Sequence, residues 1–191
     1  MRKKLCILFI FTSVFLDESY TARAQNPDTA SISVPLGGNG WLSKNATAKI
    51  DEKGLSGWTS GNDTVSIYVR VERPGKLNAA LRLSVPGGKS TLALNCGQKT
   101  FTRSIKNMED AGIPFGSFTV KLPGYIKVSL YGLKKTGRIY ANVSSLILSG
   151  SALANGAAYV KDNQGNYFYW GRRGPSVHLN YRVADDVKNN I

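Results

Sequence analysis

The sequence predicts an all-β fold: a two-sheet antiparallel β-sandwich of jelly-roll type with a short β-rich C-terminal extension. Three observations carry this expectation. From residue 64 onward apolar and polar residues alternate with period two, the alternating runs end at Pro-Gly or Gly-Gly, and no segment holds a helical period longer than two turns. About eight short strands at regular spacing call for two packed sheets, because one sheet would leave its apolar face wet.

The elements follow in order. Val65, Ile67, Val69 and Val71 face one way, with Ser66, Tyr68, Arg70 and Glu72 opposite. After Arg73-Pro74-Gly75-Lys76, Leu77, Ala79, Leu81, Leu83 and Val85 point inward. Pro86-Gly87-Gly88 then separates this run from a strand ending at Cys96. Phe118, Val120 and Leu122 point in before Pro123-Gly124; Ile126, Val128 and Leu130 follow before Gly132. Ile139, Ala141 and Val143 lead into Leu146-Ile147-Leu148. The run 151–158 is small and flexible in composition and is expected to be a linker, so residues 25–150 form the sandwich domain. Beyond it, 159–191 is too short for a core of its own and is expected to be an extension, the start of a second domain.

The N-terminus reads as a signal peptide over residues 1–24. Arg2, Lys3 and Lys4 precede an apolar stretch from Leu5 to Leu16, and Ala22-Arg23-Ala24 offers the small-x-small cleavage pattern before Gln25. The apolar stretch is too short to span a bilayer as a helix; an uncleaved anchor is the alternative. The protein is therefore expected in the periplasm, at the cell surface or secreted, with no membrane span after cleavage.

The 191 residues are 42% apolar, which excludes a disordered chain. Lys and Arg outnumber Asp and Glu by 25 to 12, a formal charge of +13. Loss of residues 1–24 removes four positive charges (Arg2, Lys3, Lys4, Arg23) and two negative (Asp17, Glu18), leaving +11. For an exported protein that charge points to acidic glycans or the cell surface rather than to nucleic acid, the alternative being a charge that serves solvation alone. With His178 as the one histidine, chemistry that needs several imidazoles is excluded. After leader removal Cys96 has no partner for an internal disulfide; it reads as a small buried hydrophobe, the alternative being a reactive thiol.

Val34-Pro35-Leu36-Gly37-Gly38-Asn39, the Pro-Gly-Lys-Leu hairpin at 74–77 and Pro-Gly-Tyr-Ile-Lys-Val at 123–128 resemble one secreted bacterial family, catalogued as domain of unknown function 5077. The string from Tyr169 to Leu179 looks like the junction after it, where a second uncharacterised domain, domain of unknown function 3472, usually begins. The resemblance covers about residues 30–185. It implies a galactose-binding or carbohydrate-binding-module-like sandwich beside a polysaccharide-acting partner, which this chain would lack as a truncated form. It transfers no catalytic residues.

Sugar binding needs an aromatic or apolar surface for the C–H face of a pyranose and polar groups for its hydroxyls. Trp41 and Trp58 stand in Gly-rich segments with Asn39, Asn62 and Asp63 close in sequence. These form the candidate ligand-binding set with Tyr131, which shares the outward strand phase with Tyr68 and Tyr140. Both tryptophans capping the open end of the core is the competing reading. Tyr169, Trp170, Arg172, Arg173 and His178 are candidates for a junction or interface, the arginines also being able to clamp a carboxylate or sulfate. No Gly-x-Ser-x-Gly, His-Glu-x-x-His, phosphate loop or Cys-x-x-Cys is present. No catalytic residue, metal site or cofactor is therefore assigned. The expected function is a non-catalytic module that binds carbohydrate or supports a polysaccharide-acting domain. The alternatives are a fragment of a glycan-acting hydrolase and a surface protein–protein docking module.

Overall fold

The computed structural model describes residues 30–161. They form ten strands: β1 (Ser31–Pro35), β2 (Gly40–Leu42), β3 (Lys49–Asp51), β4 (Gly54–Ser56), β5 (Thr64–Val71), β6 (Gly75–Cys96), β7 (Lys99–Val120), β8 (Gly124–Lys135), β9 (Asn142–Ser149) and β10 (Ala157–Ala158). A single helical turn, α1 (Leu36–Asn39), follows β1, and a 3₁₀ turn, Ser151–Leu153, follows β9. Every pairing among them is antiparallel. The result is the expected β-sandwich, nearly closed on itself.

The two layers share one long hairpin. The first half of β6 pairs with β9 (Leu81 opposite Leu146) and its second half pairs with β8 (Leu94 opposite Leu130). β7 follows β6 along its whole length as their outer neighbour. One layer is thus β2 and β10 on β5, then β8, the second half of β6 and the start of β7. The other is β1 and β4 on β9, then the first half of β6 and the end of β7.

The corner between the layers falls at Pro86-Gly87-Gly88. The β6–β7 register shifts between Val85 and Lys89, so three residues of β6 stand against Asn107 alone. This is a bulge, which bends a strand and raises its twist, and Asn107 takes a left-handed φ of 37° there, a conformation Asn tolerates better than most residues. The sequence marks this point as a break between strands; the structure makes it a bend within one.

The core lies between the layers and follows the alternation closely. Val65, Ile67, Val69 and Val71 of β5 are fully buried, as are Leu77, Leu81, Leu83 and Val85 of β6, Val128 and Leu130 of β8, and Leu146 and Leu148 of β9. At about 25 cal/mol per Å² of apolar surface removed from water, such burial is the main force holding the layers together. Cys96 joins this core, where desolvation by burial pushes its thiol up from 9.0 to about 12.

Residues 151–158, expected as a linker, are instead folded onto the sandwich. Ala152 and Leu153 are buried, and Ala157 and Ala158 pair with Val71 and Arg70. Small side chains here serve close packing rather than flexibility: the Ser151 hydroxyl accepts the Lys76 N–H at 3.0 Å. The leader-like residues 1–24 and the segment with Tyr169, Trp170, Arg172, Arg173 and His178 lie outside the described residues. No helix among the described residues is long and apolar enough to cross a membrane.

Candidate functional site

The sequence-predicted residues separate into three places. Trp58, Asn62 and Asp63 lie in the loop from β4 to β5, at one end of the sandwich. Trp41 and Tyr131 lie on the outer face of the β5 layer. Trp41 stands opposite Ser66 on β5 and Tyr131 opposite Thr64, both half-buried, and Tyr68 shares that face. Asn39 is 4% exposed and serves the backbone. Its Nδ2 donates to the carbonyls of Pro35 and Val160, and its Oδ1 accepts the Val160 N–H, each at 2.8 Å. It thereby ties the helical turn α1 to the backbone that follows β10, as a strand neighbour would.

At the loop end, Trp58 is a correction. Its ring has no exposure and packs against Tyr140 at a centroid distance of 5.1 Å, while Nε1 donates to the Ser60 carbonyl at 3.0 Å. A sugar cannot reach it. Tyr140 is corrected with it: expected outward, it is 6% exposed. Its side chain lies across Gly61 and Gly132, where a Cβ would stand 2.8 Å from the phenol oxygen and 2.7 Å from a ring carbon, so the two glycines make the room it occupies. Lys135 Nζ covers the ring at 5.5 Å. Alternation predicts a facing only inside a strand, and Tyr140 precedes β9 in a loop.

Asp63 is equally internal, at 2% exposed. Its Oδ2 accepts the backbone N–H of Thr47 and of Ala48, both at 3.0 Å, and the Thr47 hydroxyl at 2.6 Å. A buried carboxylate is tolerated when its lone pairs are met in this way. The Thr47 oxygen in turn accepts from the Thr59 hydroxyl at 3.0 Å and the Ser60 N–H at 3.2 Å. One charge therefore fixes two loops to each other. Of the three loop-end candidates only Asn62 is exposed.

Above this internal layer the same loops leave an open cleft of about 690 Å³, lined by Thr47, Gly57, Thr59, Pro86, Gly87, Arg138 and Ile139. The strand corner at Pro86-Gly87 forms one wall and the loop before β9 another. That loop is held by Tyr140 N–H to the Trp58 carbonyl at 2.8 Å and by Thr136 N–H to the Lys89 carbonyl at 2.9 Å. Pro86 and Ile139 offer apolar surface, Thr59 a hydroxyl with lone pairs to accept, and Arg138 five N–H donors. Arg138 is exposed and makes no ion pair among the described residues. No carboxylate lines the cleft, and no three His, Cys, Asp or Glu side chains gather into a metal-binding group among the described residues.

Sequence signals mark Trp58 and Asp63 beneath this cleft but do not assemble the residues that line it. Thr47 and Thr59 carry no signature at the sequence level, and Ile139 is legible only as an apolar residue of the alternating run before Val143. Pro86-Gly87 and Arg138 were visible, one as a turn and the other at the end of the basic run 134–138, but nothing in the sequence joins them.

The sandwich is similar in fold to the crystal structure of a Podospora anserina GH26-CBM35 β-(1,4)-mannanase, with a TM-score of 0.51 at 9% identity. The match covers 65% of this chain and 28% of the mannanase, so the chain spans under a third of that protein's length. It is also similar to the CBM36-1 domain of a multidomain xylanase from the hindgut metagenome of Trinervitermes trinervoides (TM-score 0.48, 18% identity, 63% of this chain and 98% of that one). A third similar structure is the CBM35 from Cellvibrio japonicus Abf62 (TM-score 0.46, 15% identity, 68% and 97%). No curated protein matches the sequence. A family profile described as Domain of unknown function (DUF5077) matches residues 34–153, most of the described sandwich, and the chain belongs to that family.

Proposed function

We propose that this chain is an exported, non-catalytic carbohydrate-binding module whose loop-end cleft takes the sugar. The observation that carries the reading is the composition of that cleft: apolar Pro86 and Ile139 beside the Thr59 hydroxyl and the Arg138 guanidinium. A pyranose presents the complementary mixture, C–H groups on its ring face and hydroxyls at its rim. The network from Asp63 through Thr47 holds the Thr59 hydroxyl in place before ligand arrives, which lowers the ordering cost of binding at that group.

Support for binding rather than hydrolysis comes from the lining. Glycoside hydrolysis uses two carboxyl groups flanking the scissile bond, no carboxylate lines the cleft, and Asp63, whose partner Thr47 does, is committed to the Thr47–Ala48 backbone. The fold shared with a mannanase chain that carries a CBM35 module is consistent with the reading. The leader-like pattern in residues 1–24 supports export, and the string from Tyr169 to Leu179 supports a following polysaccharide-acting domain.

The test is a screen of the purified protein on neutral and acidic polysaccharides, with Arg138→Ala and Thr59→Ala beside Trp41→Ala and Tyr131→Ala. The cleft reading expects Arg138→Ala to weaken neutral-glycan binding at least about tenfold, a loss of roughly 1.4 kcal/mol, with an unchanged melting temperature. Loss confined to the Trp41 and Tyr131 variants would move the site to the outer face of the β5 layer. No binding by a well-folded protein would overturn the function.

A further inference from the structure

The opposite end of the sandwich holds a second cleft of different chemistry. The β6–β7 turn contributes Cys96, Gly97, Gln98 and Lys99, the end of β7 contributes Phe118 to Val120 with Lys121 after it, and the start of β8 contributes Tyr125, Ile126 and Lys127. Together they enclose about 470 Å³ between the two layers. The floor is apolar: Phe118, Val120 and Cys96 are each at least nine-tenths buried.

The rim is cationic and aromatic. Lys99, Lys121 and Lys127 are all exposed, no Asp or Glu lines the cleft, and none of the three lysines is in an ion pair among the described residues. The Lys99 ammonium has one long contact, 3.4 Å, to the Ser117 carbonyl. Tyr125 is 40% exposed and Leu122, in the turn beside it, 77%; they are two of the three large exposed hydrophobics among the described residues. Arg70 adds a fourth cation on the neighbouring strand, its guanidinium 5.8 Å from the Tyr125 ring centre, although it is paired with Glu72 at 3.3 Å. Like charges gathered around one cavity repel, and an anion seated among them relieves that repulsion.

We propose that this cleft is a second binding site, selective for an anionic saccharide: a sugar ring lies on the apolar floor against Tyr125 while Lys99, Lys121 and Lys127 hold its carboxylate or sulfate. An aromatic beside a small apolar floor suits a ring, and the amide of Gln98 and the hydroxyl of Thr119 on the lining suit ring hydroxyls. The site stands independently of the loop-end cleft, at the far end of β5 and β8, whose paired termini are Thr64 with Tyr131 at one end and Val71 with Gly124 at the other.

The experiment is titration calorimetry of the full chain with four probes: an oligogalacturonate, a sulfated oligosaccharide, a neutral xylo-oligosaccharide and anionic phospholipid vesicles. Two triple variants are compared, Lys99→Ala/Lys121→Ala/Lys127→Ala at the cleft and Lys44→Ala/Lys53→Ala/Lys106→Ala elsewhere, which remove equal charge. Tyr125→Ala completes the set. The expected result is binding of one or both acidic oligosaccharides that falls at least about tenfold in the cleft variant and in Tyr125→Ala. It should change less than about twofold in the charge-matched control, and weaken with added salt. Which acidic probe binds distinguishes carboxylate from sulfate. Equal losses in both triple variants would show a diffuse charge effect and overturn the site, as would binding of vesicles alone or of the neutral oligosaccharide alone. Loss of neutral-glycan binding in Arg138→Ala reads the loop-end cleft separately, so either proposal can fail without the other.

Discussion

The two ends of this sandwich use polar side chains in opposite ways. At the loop end the charge is spent inward: Asp63 is buried, accepts three hydrogen bonds and ties the 47–48 and 59–60 backbone together through Thr47. At the turn end Lys99, Lys121 and Lys127 point to water around an apolar floor. The lesson is that the most polar-looking loop builds a scaffold, and the plainest turns leave chemistry free. Long irregular loops contain many backbone N–H groups that no strand neighbour satisfies, so their polar side chains are drawn in to do so. Tight two-residue turns such as Gly97-Gln98 satisfy their own backbone and place no such demand.

The comparison breaks first on Trp58. Trp58→Ala empties the space under the loop end and should cost about 3–5 kcal/mol, read as a lower denaturation midpoint and loss of any ligand at that cleft. Asp63→Ala leaves the Thr47 and Ala48 N–H groups without their acceptor and should cost about 2–3 kcal/mol. Its signature is faster amide exchange at Thr47, Ala48 and Ser60. A stability change under about 0.5 kcal/mol for Asp63→Ala would remove the scaffold role assigned to the loop end.

Cys96, on the floor of the turn-end cleft, sharpens the contrast through pH. Burial raises its folded-state pKa, so the folded state favours the neutral thiol. That contribution is fully present below about pH 9 and is lost progressively as pH rises toward 12. Cys96→Ala should therefore flatten the alkaline part of the stability curve, and the native thiol should resist a thiol reagent at pH 8 that labels the unfolded chain. Labelling of the folded protein as fast as of the unfolded one would contradict the burial.

The smallest effect is expected at the turn-end rim. Lys121→Ala and Lys127→Ala should each alter stability by no more than about 0.5 kcal/mol, while changing affinity for an anionic ligand. A large loss of stability there would make the two ends alike.

The strands most legible in the sequence are those with two-faced surroundings. β5 shows strict alternation and is buried in strict alternation, and β8, β9 and both halves of β6 follow nearly as well. The stretch 99–117 of β7 was not legible: it pairs with β6 alone at an edge, and among its first fifteen residues only Ile105 is buried. The short strands β2, β3 and β4 hold three residues each, too few for a period to show. Of the candidate site, Trp58 and Asp63 fall in the expected loop but in its buried layer, while Asn62 is exposed there, because composition says which groups are near a site and not which way they face.

What the sequence determined by itself is therefore local: the strands, the turns between them, and a buried neutral Cys96 at the end of an alternating run. These depend on side-chain period and on the φ preferences of Pro and Gly, which act over a few residues. Tertiary structure decided the rest. It turned Pro86-Gly87-Gly88 from a break into a corner, folded 151–158 onto the sandwich, and brought Thr47, Thr59, Pro86 and Arg138 to one cleft and Lys99, Lys121 and Lys127 to another. Each of those outcomes depends on which strands pair, a choice made by burying apolar area between two layers, and no single segment of the chain contains that information.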